Sequence, residues 1–204
     1  LISVNAEESL NNQFSDIPLN HWSYSVTHRL RDLGITNGVG NNKFGLGQSI
    51  KRGQFISFLC RLMEWDIVPI DSSSFEDVDI NMYYHQPIEV ALKLGVITKD
   101  SNYFRPNENI TREEMAIMIV RSLGLEHLAK QLNNRPSAFI DVESYKGYIT
   151  IARDLGIIQG SLDNKFNPKN TANREHAAAM MIRMYDICQN TLNEIHGFYA
   201  IQSF

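Results

Sequence analysis

The chain has 204 residues, 43% of them hydrophobic and 21% charged, which is enough apolar side chain to bury a core and excludes a disordered segment. A formal net charge of −4 excludes nucleic-acid binding by general electrostatic attraction, so any anion has to be captured locally. No run of about 18 apolar residues occurs, which excludes a membrane-spanning helix.

Residues 1–13 read as a polar leader. Val4 and Ala6 stand where the small residues of a signal-cleavage site would be, so the segment is either a loose leader or the stub of an export signal. Three repeats follow, at 14–70, 71–136 and 137–190, each opening on Phe-x-Asp: Phe14 and Asp16, Phe75 and Asp77, Phe139 and Asp141. The spacing from Phe14 to Phe75 is 61 positions and from Phe75 to Phe139 is 64. That period is long for a solenoid, and it stops at three copies, so a closed, roughly threefold arrangement is expected.

Within each repeat a first helix is expected over 22–33, 83–94 and 145–155, stopped by Gly34, Gly95 and Gly156, since glycine best takes the left-handed conformation after a helix end. Four residues further on stand Gly38 and Gly160, where the middle repeat has Lys99. Loops carrying Phe44, Phe104 and Phe166 then lead into a second helix, with Pro106 and Pro168 two residues after the aromatic and Leu46 at that place in the first copy. An arginine follows each of these phenylalanines by eight positions (Arg52, Arg112, Arg174), and another comes nine later (Arg61, Arg121, Arg183).

Apolar residues after the first arginine recur at i, i+3, i+4 and i+7: Phe55, Phe58, Leu59, Leu62; Met115, Met118, Ile119, with Ser122 last; Ala177, Met180, Met181, Met184. This is an amphipathic helix with its arginine in the first turn. Thr111 and Glu114 stand in capping-box register. A guanidinium beside free first-turn N–H groups is a candidate carboxylate or phosphate site. With no alternation long enough for a sizeable sheet, the class is all-α.

Other chemistry is excluded by spacing. Asp77, Asp79 and Asn81 begin like a calcium loop, but Met82 and Ile88 replace its glycine and its bidentate glutamate. The six histidines form no metal-binding motif, and no nucleophile elbow or phosphate loop appears, so no metal, cofactor or enzyme activity is expected. Cys60 and Cys188 read as buried thiols. Residues 191–204 read as a linker and the start of a further domain, with 195–201 as an opening strand similar to that of chitinase-like barrels.

The order Phe-x-Asp, aromatic, Leu-Gly-Ile, Phe-x-Pro, Ile-Thr-Arg-Glu-Glu resembles the S-layer homology domain of bacterial surface proteins, over about residues 14–185. The resemblance implies a three-pronged pseudo-trimer secreted to the cell surface of a Gram-positive-type wall. Its inter-repeat grooves would bind secondary cell-wall polysaccharide, commonly through a pyruvylated sugar. The family's Thr-Arg-Ala-Glu motif falls on 111–114, on 51–54 without the cap hydroxyl, and on 173–176, where Asn173 can cap. Its tryptophan falls on Trp22 and Tyr83, and near Tyr145 with one position of slip; its turn glycine falls on Gly38 and Gly160.

The ligand-binding set is therefore expected to be Arg52, Arg112, Arg174, Trp22, Tyr83, Asp16, Asp77, Asp141, Gly38 and Gly160. A guanidinium grips a ketal-linked pyruvate bidentately, an aromatic face suits a sugar ring, and glycine allows close approach. Asp16, Asp77 and Asp141 either accept sugar hydroxyls or cap the following turn. A single first-turn arginine would be read as a solvated ion pair; its threefold recurrence favours ligand contact. Such arginines are expected to contribute little to folding, Arg61, Arg121 and Arg183 to be structural, and Phe44, Phe104 and Phe166 to be core anchors. Lys99 is expected to obstruct one groove. The alternative function is a protein-interaction scaffold for a surface lattice.

Overall fold

The computed structural model describes residues 14–201; the leader with Val4 and Ala6 lies outside the described residues. The helices are α1 (Tyr24–Asp32), α2 (Arg52–Leu62), α3 (His85–Lys93), α4 (Arg112–Ser122), α5 (Glu126–Leu132), α6 (Lys146–Asp154) and α7 (Arg174–Ile201). Among the described residues the β structure consists of isolated bridges, so the chain is all-α. Gly34, Gly95 and Gly156, at φ near +70°, end the three first helices as their position requires. No helix among the described residues is long and apolar enough to cross a membrane.

Each second helix packs on the first helix of the next repeat: α2 on α3, α4 on α6, and α7 back on α1. Arg29 of α1 donates to Asp186 of α7 at 2.9 Å across the closing contact. The same cycle is drawn in the backbone at the centre. Ile110 N donates to Ile50 O, Ala172 N to Ile110 O and Ile50 N to Ala172 O, each at 3.1 Å, a ring of three bonds in which every repeat gives one and receives one. Ile50, Ile110 and Ala172 are buried around it. A solenoid could not close such a ring.

The core follows the helical stripes. Phe55, Phe58, Leu59 and Leu62, Met115, Met118 and Ile119, and Ala177, Met180, Met181 and Met184 are all buried. Phe44, Phe104 and Phe166 are buried as anchors, each beside the Phe-x-Asp ring of its own repeat at centroid distances of 5.4–5.6 Å. Cys60 is buried and Cys188 half-buried, both free.

Three features depart from the sequence reading. The extra residues of the second repeat fold as α5, a short helix packed on α6. The tail expected to open a strand continues α7 as helix to Ile201. Lys99 belongs to a shorter turn: Gly34 to Phe44 and Gly156 to Phe166 each span ten positions, Gly95 to Phe104 only nine.

In the longer turns Val39 N donates to Lys43 O and Ser161 N to Lys165 O, both at 2.8 Å. A Cβ on Gly38 would lie 2.1 Å from Lys43 O and 2.8 Å from the Phe14 ring; one on Gly160 would lie 2.3 Å from the Phe139 ring. Glycine is thus required by packing within its own repeat. With the turn shortened, that requirement disappears, and Lys99 stands exposed in solvent.

Candidate anion-binding grooves

The three motif arginines occupy equivalent places. Arg52 Nε donates to Phe104 O at 2.9 Å, Arg112 Nε to Phe166 O at 2.8 Å and Arg174 Nε to Phe44 O at 2.8 Å. Each guanidinium also lies over the ring whose carbonyl it binds, 4.8, 4.7 and 5.1 Å from the centroid. Every arginine therefore ties its repeat to the next, and the small folding role expected from sequence is corrected: its loss would orphan a buried carbonyl, at about 1–3 kcal/mol.

The helix starts are not open either. Arg52 N donates to Glu108 O and Gly53 N to Pro106 O; Arg112 N donates to Asn170 O and Glu113 N to Pro168 O; Arg174 N donates to Gln48 O. The first-turn amides at Arg52 and Gly53, at Arg112 and Glu113 and at Arg174 are thus taken by the neighbouring loop, which leaves less of the expected amide anion site than the sequence suggested.

At Thr111 the capping box is complete, Thr111 Oγ1 accepting from Glu114 N and Glu114 Oε2 accepting from Thr111 N at 2.9 Å. Lys51 has no acceptor to offer, but Gln54 still reaches back to the Lys51 amide at 3.1 Å. The Asn173 side chain turns to Glu175 instead of capping.

Asp16 accepts from the amides of Phe44, Gly45 and Leu46, Asp77 from Phe104 and Arg105, and Asp141 from Phe166 and Asn167, at 2.7–3.0 Å. The carboxylates are spent on holding the loop that presents the phenylalanine carbonyl. The expected local cap of the following turn is not what these bonds make: the accepting carboxylates reach amides 25–30 positions further along the chain.

Two grooves each draw on all three repeats, which the sequence could not indicate. One, about 490 Å³, is lined by Trp22 of the first repeat, Arg112 of the second, and Gly160, His176 and Arg183 of the third. Arg112 Nη2 donates to Gln159 O at 3.0 Å, and among the described residues no carboxylate oxygen lies within 4.0 Å of this guanidinium, although the charge of Asp141 acts on it from further off. Trp22, 54% exposed, is stacked on His176 at 5.3 Å.

A second groove of about 360 Å³ joins Arg52, the turn around Thr98 and Tyr103, Glu114, and Tyr145. Tyr145, left-handed at φ 54°, thus takes the place that the slipped alignment gave it. Around the third position Tyr83 stands near Gln54 and near Arg174, which is only 2% exposed. Burial pulls all three arginines below their ordinary pKa.

Arg61 and Arg183 bind the turn carbonyls of Ile35 and Ile157, whereas Arg121 turns to Glu126. The sequence reading missed His176, whose place in the motif is held by Gln54 and Glu114 in the other copies. Burial first, then the charges of Arg112 and Arg183, press its pKa below the ordinary 6.5, against a pull upward from Glu175.

A folded-state pKa below the unfolded one means that the neutral ring stabilises the fold above pH 6.5, and that this contribution is lost as pH falls through the folded value. Melting temperature measured from roughly pH 7.5 to 5 should fall less for His176→Gln than for the unmodified protein. Parallel curves would show that the ring does not titrate there.

The sequence model of the S-layer homology domain matches residues 13–56, 74–116 and 139–178. The chain is 31% identical over 172 residues to an amylopullulanase of Thermoanaerobacterium thermosulfurigenes, covering 82% of this chain and 9% of that protein. It is 30% identical to exoglucanase XynX of Acetivibrio thermocellus (87% of this chain, 16% of the relative) and 28% identical to the S-layer protein sap of Bacillus anthracis (83% and 21%). The chain thus spans about a tenth to a fifth of the length of these relatives.

Proposed function

This chain belongs to the S-layer homology domain family, and we propose on that footing that it anchors a surface protein by taking an acidic sugar of the secondary cell-wall polysaccharide into the groove between Trp22, Arg112 and Gly160. Its place is the bacterial cell surface, in keeping with S-layer proteins among its relatives. The observation that carries the finer reading is the Arg112 tip, half-buried and without a carboxylate partner among the described residues, beside an exposed indole.

A pyruvate ketal would offer its carboxylate to that tip in a sheltered site, where charge-assisted bonds are strongest. The indole would cover the apolar face of the ring. The chain acts by binding alone; catalytic names among the relatives describe proteins of which it covers a small part.

Sedimentation with purified cell wall tests the reading. The protein should be retained by intact wall and lost to the supernatant after chemical removal of the secondary polysaccharide. Equal retention on both preparations would favour the protein-interaction scaffold.

A further inference from the structure

The third residue of the arginine-headed helix is Gln54, Glu114 and His176 in the three copies, so the last copy holds an imidazole where the middle one holds a carboxylate. In the middle copy that carboxylate meets the arginine of its groove, Glu114 Oε1 lying 2.6 Å from Arg52 Nη1. At the corresponding place in the Arg112 groove stands His176. Arg183 lines the same groove, and Gln159, Ser161, Asn167 and Asn170 complete its wall without charge. Glu175, the neighbour of His176 along α7, is buried and has both oxygens engaged, by Gly47 N at 3.1 Å and Asn173 Nδ2 at 3.2 Å. The Trp22 indole, stacked on His176, has His21 as a further ring neighbour at 5.6 Å.

We propose that His176 couples this groove to pH: the ring takes up a proton when a carboxylate settles at Arg112, so the groove holds an acidic sugar more tightly as the medium becomes more acidic. The proposal rests on the anionic-ligand reading above and assigns regulation of that site to one side chain. In the ligand-free protein, desolvation and then the charges of Arg112 and Arg183 disfavour the imidazolium, against a smaller pull from Glu175. A ligand carboxylate offsets the two arginine charges, so the pKa of His176 rises on binding. Linkage then requires the affinity to rise as pH falls, and to level off once the ring is protonated with and without ligand. The ligand's own carboxylate titrates well below this range, so the proton goes to the ring. Protonation is compatible with the stack on Trp22, because an imidazolium over an indole face is a cation–π contact.

Calorimetry with the methyl glycoside of a 4,6-pyruvylated hexose, from about pH 8 to about pH 5, tests the coupling. Binding should tighten about 3- to 10-fold over that range, a factor of ten for each unit by which the ligand raises the His176 pKa, and His176→Gln should lose most of the rise. Glutamine is the natural replacement because the first copy already folds with Gln54 at this place. In parallel, the His176 Cε1–H signal, assigned by its absence from the variant, is titrated by NMR in the unmodified protein with free pyruvate or with sodium chloride at equal ionic strength. Its midpoint should lie higher in pyruvate. His176→Asn serves for the assignment should the glutamine variant fail to fold.

A His176 midpoint that pyruvate leaves in place, or a shift carried by His21 instead, overturns the proposal, as does a glycoside affinity that stays level or falls toward the acidic end. If the glycoside binds at no pH, the functional reading falls, while the pyruvate titration still decides whether His176 answers an anion at Arg112.

Discussion

Arg112→Ala should weaken binding of a pyruvylated glycoside by about 10- to 100-fold, because one or two charge-assisted hydrogen bonds are lost at about 1.5–3 kcal/mol each and every 1.4 kcal/mol is a factor of ten. The same change also removes the Arg112 bonds to Phe166 O and Gln159 O, so the melting temperature should fall as well. Loss of affinity alone therefore proves little, and two further variants separate the causes. Trp22→Ala removes a ring that is half exposed and stacked only at its edge of the fold, so stability should hardly change while affinity falls about 3- to 10-fold. Arg112→Lys keeps the charge but not the planar fork, and should land between the unmodified protein and alanine. A Trp22→Ala protein with unchanged melting and unchanged affinity would place the ligand elsewhere.

What the sequence made legible was whatever repeats within one copy. Phe14, Phe75 and Phe139, the glycine stops, the arginine-headed helices and their apolar stripes all follow from local spacing, and the all-α, threefold architecture follows from three such copies. What stayed hidden was which copy supplies which wall of a groove. Trp22, Arg112 and Gly160 come from three different repeats, and nothing in a periodic pattern says whether repeat n touches n+1 or n−1.

The arginines' structural half was hidden for the same reason, since the carbonyl bound by Arg52 lies 52 positions away on Phe104. So was the pairing of Arg52 with Glu114, where the capping-box register revealed only one of the glutamate's two oxygens. Lys99 misled because a substitution was visible and the one-residue shortening beside it changed what the position had to do. The 195–201 segment misled because a short apolar run fits a strand and the end of a long helix equally well.

Asp16→Ala should lower stability by about 2–3 kcal/mol, the second large effect expected, since three backbone amides lose one charged acceptor and water can reach only part of the site. In a chain of this size that is a fall of roughly 5–10 °C in melting temperature. The damage should not stay in the first repeat. Asp16 fixes the Phe44 loop whose carbonyl receives Arg174 Nε, so the contact closing the third repeat on the first loosens with it.

Burial works against the charge of Asp16, but the amides of Leu46, Phe44 and Gly45 prevail and its pKa lies below the ordinary 3.8. Its stabilisation is therefore fully present above that value and is lost as pH falls through the lower folded one, and the alanine variant should lack this part of the acid sensitivity. Asp16→Asn, keeping one acceptor oxygen, should recover part of the melting temperature and, at a temperature where it is folded, bind wall as the unmodified protein does. An asparagine variant that melts normally yet no longer binds wall would return Asp16 to the ligand.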